Sequence, residues 1–336
     1  MTAPLLSVTD LAVEFARGGR WFPAVDRVSF EVERGEALAV AGESGCGKSL
    51  LARALIGLPP DSARVSGQVA WEGREINGLP DEDWERLRGG RIGMLFQEPG
   101  AALDPVRTVG DQIGEAIRLH ARVSPAEARR RAIERLREVS LPDPESAVDE
   151  YPHRLSGGQK QRVGLAVALA ADPAVLIADE PTTALDSTIA AQVLDLLARL
   201  RRSRGLTLVL ISHDLGLVAR ESDRALVLYA GRIVEEGSTS EIFRAPRHPY
   251  TRGLLACQPR LTAGSGGIRH GRFAAIAGMV PDLFERPDGG CAFAPRCPDR
   301  FEPCDRSQPP LFADGGIGVR CFLYDGRTAD RGRRAS

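Results

Sequence analysis

Apolar and polar residues alternate along the first part of the chain, with the period of two that is typical of strands with one buried face. Apolar side chains fall mostly on alternate positions in residues 6–15 and 28–32. A turn at Gly35 then precedes an uninterrupted apolar run at 37–41. Such a short run is expected in a strand that is buried on both faces. The region therefore predicts two half-buried strands followed by a strand inside a sheet.

Helical and strand-like segments alternate in the rest of the first 230 residues. Residues 124–127 (Ser-Pro-Ala-Glu) form a capping box with proline at the first helical position, and Gly205 ends a later helix. Predicted helices cover 50–58, parts of 108–140 and 189–202, and predicted strands cover 175–178, 206–211 and 225–229. This alternation predicts an α/β domain with a largely parallel sheet.

Composition narrows the class of function. The chain has 336 residues, of which 43% are hydrophobic, which suits one large domain or two moderate ones. It carries 44 Lys and Arg against 45 Asp and Glu. Because nucleic-acid-binding proteins normally show a basic excess or a basic face, we expect no nucleic-acid partner.

The sequence predicts no targeting or membrane-spanning segment. The first residues have no basic stretch, and Asp10 interrupts any apolar segment of a signal peptide. No run approaches the roughly 18 apolar residues that cross a bilayer. We therefore expect a soluble protein made in the cytosol, with any membrane role supplied through a partner.

Residues 42–49 (GESGCGKS) match the phosphate-binding P-loop pattern GxxxxGK[ST] between a predicted strand and a predicted helix. Glycines in such a loop let backbone N–H groups approach phosphate oxygens, and the helix N-terminus adds partial positive charge. Lys48 is expected to reach the β- and γ-phosphates and Ser49 to bind Mg²⁺.

Two carboxylates, Asp179 and Glu180, end the predicted strand 175–178. Ligands of α/β proteins bind at the carboxyl ends of strands, so both side chains are expected beside the P-loop. Asp179 suits the shell of Mg²⁺. Glu180 suits the general base that activates water for attack on the γ-phosphate.

A second small-residue loop, Ser156-Gly157-Gly158-Gln159, precedes a helix predicted over 160–171. A helix start of this kind is an anion site. One chain rarely needs two such sites for one nucleotide. The loop would therefore cap the γ-phosphate that another subunit holds.

These motifs, together with Gln97 and His213, resemble those of ABC ATPases over about residues 5–240. The motifs in chain order are the P-loop, Gln97, Ser156–Gln159, Asp179–Glu180, Ala184-Leu185-Asp186 and His213. The resemblance implies a nucleotide-binding domain at 1–240 with a RecA-like parallel-sheet core and an N-terminal antiparallel β subdomain. It also implies an inserted helical subdomain at about 98–170.

The same resemblance implies that two cassettes pair head to tail. Each ATP would lie between one P-loop and the partner's loop at 156–159, which is called the signature loop. Gln97 would sense Mg²⁺ and the attacking water, and His213 would contact the γ-phosphate. Asp186 would couple the two sites across the dimer. Phe15 is the expected adenine-stacking aromatic, with Trp21 and Phe22 as alternatives.

The resemblance thus gives a full set of expected site residues. Catalytic roles fall to Glu180, His213 and Gln97, and Mg²⁺ contacts to Ser49, Gln97 and Asp179. Expected nucleotide contacts are Phe15, Gly42, Ser44, Gly45, Cys46, Gly47, Lys48, Ser49, Leu50, Ser156, Gly157, Gly158, Gln159 and Asp186.

Further segments resemble the D-type ATPase of oligopeptide and dipeptide importers. They are 96–99, 109–113, 151–153, 178–186 and 248–251. This resemblance implies a second, F-type ATPase or a second copy of the chain, two permease subunits and an extracytoplasmic binding protein. It places the chain at the cytoplasmic face of the plasma membrane.

Two rival functions stay open at this stage. One is an importer of nickel or another small solute, and the other is a soluble ABC ATPase that resembles carbon–phosphorus lyase accessory subunits. ATPases of DNA repair and translation are disfavoured, because the sequence has neither a coiled-coil insertion nor a tandem cassette.

Four cysteines, Cys291, Cys297, Cys304 and Cys321, follow a linker-like segment at 262–267 in the spacing C-x5-C-x6-C-x16-C. The spacing lacks the tight knuckles of structural zinc sites, and disulfides are disfavoured in the cytosol. Four cysteines are the usual ligands of a [4Fe–4S] cluster. The resemblance to the peptide-importer branch implies the same, because members of that branch carry such cysteines at the C-terminal end.

From these cysteines we expect an extension at 241–325 with a [4Fe–4S] cluster, with zinc or no metal as alternatives. The last stretch, 326–336, is expected to be disordered.

Overall fold

The computed structural model describes residues 3–183, 185–257, 276–286 and 289–326. The predicted linker at 262–267, Ala184 and residues 327–336 of the predicted tail lie outside the described residues. No helix in the described ranges is long and apolar enough to cross a membrane.

An antiparallel sheet of four strands forms the N-terminal part, in the order β2-β1-β4-β5. Its strands are β1 (Leu6–Arg17), β2 (Arg20–Val32), β4 (Ala63–Trp71) and β5 (Arg74–Glu75). Most apolar residues of the predicted alternation are buried and pack with Leu51 and Leu55 of the first helix; they are Leu6, Val8, Leu11, Val13, Val28, Phe30 and Val32. The sheet thus covers one side of the phosphate-binding loop.

The central sheet has eight strands in the order β11-β12-β10-β9-β3-β8-β7-β6. They are β3 (Ala37–Ala41), β6 (Ile92–Leu95), β7 (Val175–Asp179), β8 (Thr207–Ser212), β9 (Arg224–Tyr229), β10 (Arg232–Ser238), β11 (Phe312–Asp314) and β12 (Ile317–Val319). The five strands from β9 to β6 are parallel, and the other three are antiparallel. The predicted α/β architecture with a parallel core is confirmed.

Twelve α-helices connect the strands in the described residues. They are α1 (Lys48–Leu55), α2 (Asp81–Leu87), α3 (Pro99–Ala102), α4 (Val109–His120), α5 (Pro125–Glu138), α6 (Pro144–Ala147), α7 (Gly157–Ala168), α8 (Ser187–Arg204), α9 (Leu215–Glu221), α10 (Thr239–Arg244), α11 (Pro249–Ala256) and α12 (Pro303–Arg306). The helix predicted at 50–58 begins earlier, at Lys48, and stops before Gly57.

Helices α3 to α7 all lie between β6 and β7 in the chain. The bounds of the helical subdomain at about 98–170 stay a prediction. The helical stretch predicted within 108–140 is two helices, and Ser124 begins the second by accepting a hydrogen bond from the Glu127 N–H. Apolar residues of α4, α5 and α7 share one core with the inner side of the central sheet, including Ile113, Leu136 and Val163.

The C-terminal extension continues the central sheet. Strand β12 pairs with β10 through Glu235 and Val319, and β11 pairs with β12. Three aromatic side chains, Tyr229, Tyr250 and Phe293, pack together with ring centroids 4.6–5.4 Å apart. Because Tyr229 is the last residue of β9, this cluster packs the extension against the strand next to β3, which precedes the P-loop.

Candidate functional site

The loop between β3 and α1 has the backbone conformation of a phosphate cradle. Gly42 and Gly47 have φ values of 154° and 106°. A Cβ at Gly42 would lie 2.3 Å from the Leu228 carbonyl oxygen, and one at Gly47 would lie 2.7 Å from that of Ala24. Only glycine fits at these two positions, which explains the glycine pattern of the motif.

Lys48 and Ser49 begin α1 and turn inward toward the loop and the sheet edge. The Lys48 ammonium donates to the carbonyl oxygens of Gly42 at 2.8 Å and Glu43 at 2.9 Å. The Ser49 hydroxyl donates to the Asp179 carboxylate at 3.0 Å. The first helical turn therefore brings a cation and a hydroxyl to the end of β7.

Glu180 lies at the centre of the site. Its carboxylate accepts hydrogen bonds from Gln97 at 3.0 Å and from Thr183 at 2.8 Å. His213 Nδ1 lies 3.3 Å from the Glu180 Oε1 atom, and the Lys48 Nζ atom lies 3.9 Å from it. Three motifs from three separate loops thus meet at one carboxylate.

The backbone at Glu180 is unusual for a residue other than glycine. Its φ is +47°, in the left-handed region that costs an L-residue of this kind about 1–2 kcal/mol. Strained residues of this type cluster at functional sites, where the surrounding structure fixes them. Here the conformation directs the side chain toward Gln97 and His213.

The pKa values of the two neighbouring carboxyls, Asp179 and Glu180, are shifted in opposite directions. Burial raises the pKa of Asp179, and the Glu180 charge adds to this, although the Ser49 hydrogen bond opposes it. Burial would also raise the pKa of Glu180, but hydrogen bonds from Thr183 and His213 outweigh it and hold that pKa below its ordinary value. Glu180 is therefore ionised at neutral pH and able to accept a proton.

A cavity of about 540 Å³ opens above the P-loop. This volume falls within the roughly 300–1,000 Å³ range of small-ligand sites. Its lining residues are Ala24, Ser44, Gly45, Gly47, Lys48, Ser49, Leu50, Gln97, Glu180, Val280, Pro281, Asp282, Leu283 and Arg286. Of the predicted P-loop contacts, Gly42 and the fully buried Cys46 lie behind this surface.

The part of the cavity wall formed by residues 280–286 was not predicted from the sequence. These residues lie far along the chain from the P-loop and match no nucleotide-binding pattern. Phe284 lies against Phe22 of β2, with ring centroids 5.2 Å apart.

None of the three candidate adenine-stacking aromatics lines this cavity. Phe15 of β1 pairs directly with Phe22 of β2, so their side chains share a face of the sheet. Trp21 is exposed, and the Arg64 guanidinium covers its ring at 4.5 Å. The assignment of Phe15 stays a prediction.

The signature loop begins helix α7, and Asp186 begins helix α8. Ser156 accepts a hydrogen bond from the Gln159 N–H, and the Gln159 side chain accepts one from the Ser156 N–H. Asp186 accepts bonds from two N–H groups at the start of α8. Ser156, Gly157, Gly158, Gln159 and Asp186 do not line the chain's own cavity in the described residues.

The four late cysteines converge on one small cavity of about 10 Å³. Burial raises the pKa of Cys297 to about 11 and that of Cys321 to about 12. Within the described ranges, no three His, Cys, Asp or Glu side chains are placed to hold a metal ion. Four cysteines around one cavity are a donor set that suits a thiolate-bound centre, but their side chains are not arranged here as metal ligands.

Comparison with known proteins agrees with this geometry. The ABC transporter family matches residues 25–183, and the family described as oligopeptide/dipeptide transporter, C-terminal region, matches residues 234–304. The dipeptide transport ATP-binding protein DppD of Bacillus subtilis is 44% identical over 96% of this chain and 96% of that protein.

Two further proteins extend the comparison. The oligopeptide transport ATP-binding protein OppD of Mycobacterium tuberculosis is 49% identical over 97% of this chain and 53% of that protein. A solved dimer of the ATP-binding cassette MJ0796 with ADP and Pi has a TM-score of 0.63 and 29% identity, and covers 70% of this chain and 98% of that chain. The chain therefore belongs to the ABC transporter ATP-binding proteins, in the branch with the oligopeptide/dipeptide transporter C-terminal region.

Proposed function

We propose that this chain is the ATP-hydrolysing subunit that energises an ABC importer of oligopeptides or dipeptides. The observation that supports it most is the position of the Glu180 carboxylate, which meets Gln97, His213 and Lys48 beside the P-loop. The matching C-terminal region points to peptides as the transported class.

Separate residues of the site bind the phosphates and Mg²⁺ in this proposal. Backbone N–H groups of the P-loop and the Lys48 ammonium bind the phosphates, and Ser49 and Asp179 would hold Mg²⁺ with help from Gln97. Mg²⁺ held by these residues would supply positive charge that offsets the charge of the phosphates. Asp179 is buried next to Glu180, and a bound cation would offset the charge that these two carboxylates bring together.

Glu180 acts as the general base. It takes one proton from a water molecule as the water oxygen attacks the γ-phosphorus and the bond to the β-phosphate oxygen breaks. His213 lies beside the Glu180 carboxylate, where it can also contact the γ-phosphate, and Gln97 orients the water. The products are ADP and phosphate.

The signature loop serves a neighbouring cassette in this proposal. Ser156 to Gln159 lie outside the chain's own cavity, and their helix start is free to meet the nucleotide of a partner. The partner is an F-type ATPase or a second copy of this chain, paired head to tail. Asp186 lies at the start of α8, where it would link the two sites.

The proposed assembly has two permeases and an extracytoplasmic binding protein. The cassette at 1–240, with its helical subdomain at about 98–170, would dock on the permeases at the cytoplasmic face of the membrane. The extension at 241–325 would act with the cassette, since its strands continue the same central sheet.

Uptake by cells tests the transported class. In cells that lack this chain, we expect labelled dipeptide uptake to return with the wild-type chain but not with Lys48→Ala, which removes the phosphate-binding ammonium. Arg202→Ala, an exposed change on α8, is the control and should restore uptake. Restored nickel uptake without peptide uptake, or no transport defect at all, would contradict the proposal.

We further propose that Cys291, Cys297, Cys304 and Cys321 hold a [4Fe–4S] cluster that stabilises the extension. Their convergence on one cavity supports a shared ligand, and four cysteines are the usual ligands of this cluster. Bound metal would contribute folding energy there, as it does in other small metal-binding regions.

Anaerobic purification with iron, sulfide and zinc analysis tests this site. We expect about four iron atoms per chain, and Cys297→Ser should lower the iron content while ATP binding persists. Cys257→Ser, which changes a cysteine outside this cavity, is the control and should retain the iron. Colourless protein with stoichiometric zinc, or with no metal, would contradict the cluster.

A further inference from the structure

The P-loop of this chain is held by two side chains from the C-terminal extension. The Arg296 guanidinium donates two hydrogen bonds to the Glu43 carboxylate, at 2.7 and 3.0 Å. The Tyr250 hydroxyl accepts a hydrogen bond from the Glu43 N–H at 2.8 Å. Glu43 occupies the first variable position of the P-loop, so both contacts fix the loop where it leaves β3.

The fixed residue contacts the phosphate-binding lysine directly. The Glu43 carbonyl oxygen accepts a hydrogen bond from the Lys48 ammonium at 2.9 Å. The Glu43 backbone is therefore joined to Tyr250 on one side and to Lys48 on the other. A shift of Glu43 would move the ammonium that the site presents to phosphate.

Arg296 holds the opposite wall of the cavity at the same time. Its Nε atom donates to the Ala277 carbonyl oxygen at 2.9 Å, at the start of the segment 276–286. Arg286 anchors the other end of that segment by donating to the carbonyl oxygens of Pro23 and Ala230. Between these anchors, Val280 and Leu283 face the cavity.

Burial makes this arrangement costly to disturb. The Arg296 side chain is only 5% exposed, and its guanidinium lies 5.8 Å from the centre of the Tyr229 ring. A planar guanidinium can make the two parallel bonds to a carboxylate, whereas a lysine ammonium cannot. Removing one partner of a buried ion pair leaves the other charge uncompensated.

We propose that Arg296 is a positioning residue for nucleotide binding. It sets the affinity of the site because it holds the P-loop at Glu43 and also holds the segment 276–286, which forms part of the cavity wall. The C-terminal extension is then a structural part of the ATP site. This inference rests on the proposed function of the cavity as that site.

Titration of the full-length chain with a fluorescent ATP analogue tests the proposal. Arg296→Gln is expected to raise the Kd for nucleotide about tenfold, the scale of a lost charge-assisted hydrogen bond. Arg296→Lys should fall between Arg296→Gln and the wild type. In the assembled complex, KM should rise while kcat stays largely unchanged, because Arg296 does not touch the reacting atoms.

A double-mutant cycle with Glu43→Gln separates positioning from general stability. Each single change should weaken binding, and the double variant should be no weaker than the more affected single one, since both remove the same pair. Arg252→Gln is the matched control, because Arg252 forms an exposed ion pair with Asp299 in the same extension. Its Kd should equal that of the wild type.

Distinct results would overturn the proposal. One is an unchanged Kd in Arg296→Gln and Glu43→Gln, and another is fully additive effects of the two changes. If Arg296→Gln does not fold, the partly exposed Glu43→Gln still decides, and an unchanged Kd there refutes the proposal. A wild-type chain that binds no nucleotide would instead refute the proposed function of the site.

Discussion

Replacement of Glu180 by glutamine is expected to stop ATP hydrolysis and leave ATP binding intact. Glutamine keeps the size of the side chain and can still bond with Thr183 and His213, but its amide takes no proton from water. Loss of a general base typically slows a reaction about 10²- to 10⁴-fold. The binding contacts of Lys48 and the P-loop stay in place, so nucleotide should accumulate in the site.

The measurement is ATP turnover and bound nucleotide in the purified complex. Glu134→Gln makes the same chemical change at an exposed position on α5 and should leave turnover at the wild-type rate. Near-normal turnover in Glu180→Gln would show that another group is the base.

Ser156→Arg is expected to reduce turnover of the assembled complex by about 10²-fold, the scale of losing one preorganised donor to a transition-state charge. The arginine replaces the small residue that begins α7 and adds bulk where a partner's γ-phosphate is proposed to lie. Ser156 does not line the cavity at the chain's own P-loop. Nucleotide binding by the isolated variant should therefore match that of the wild type.

Ser203→Arg is the control for this change. Ser203 is an exposed residue near the C-terminal end of α8, whereas Asp186 and the nucleotide edge lie at the other end. An 18-residue helix is about 27 Å long, so the control should not reach either nucleotide. Equal loss of turnover in both variants would argue against a signature loop that completes a partner's site.

The local parts of the site could be predicted from the sequence. Gly42, Gly47 and Lys48 lie on a single strand–loop–helix unit, in which the spacing of residues determines the backbone geometry. Glu180 and His213 each follow a parallel strand, and parallel strands place their carboxyl ends at one edge of the sheet. Their meeting therefore follows from two short apolar runs and the residues after them.

The contacts of the extension could not be predicted in this way. Arg296 and Glu43 are 253 positions apart, and an arginine at the end of a three-residue 3₁₀ helix carries no sequence signal for its partner. The wall at Val280 and Leu283 depends on the same long-range packing. The spacing of the four late cysteines indicated that they lie together, and all four line one cavity. The spacing could not give the positions of the thiols around a metal, because ligand geometry depends on the bound centre.

ATP turnover before and after assembly tests the central claim most directly. The isolated chain is compared with the same chain in proteoliposomes that contain a second cassette and two permeases, with and without a peptide-loaded binding protein. We expect weak turnover by the isolated chain, a large increase on assembly and a further increase with the peptide-loaded protein. Full turnover by the isolated chain, with no response to assembly or to peptide, would contradict the account.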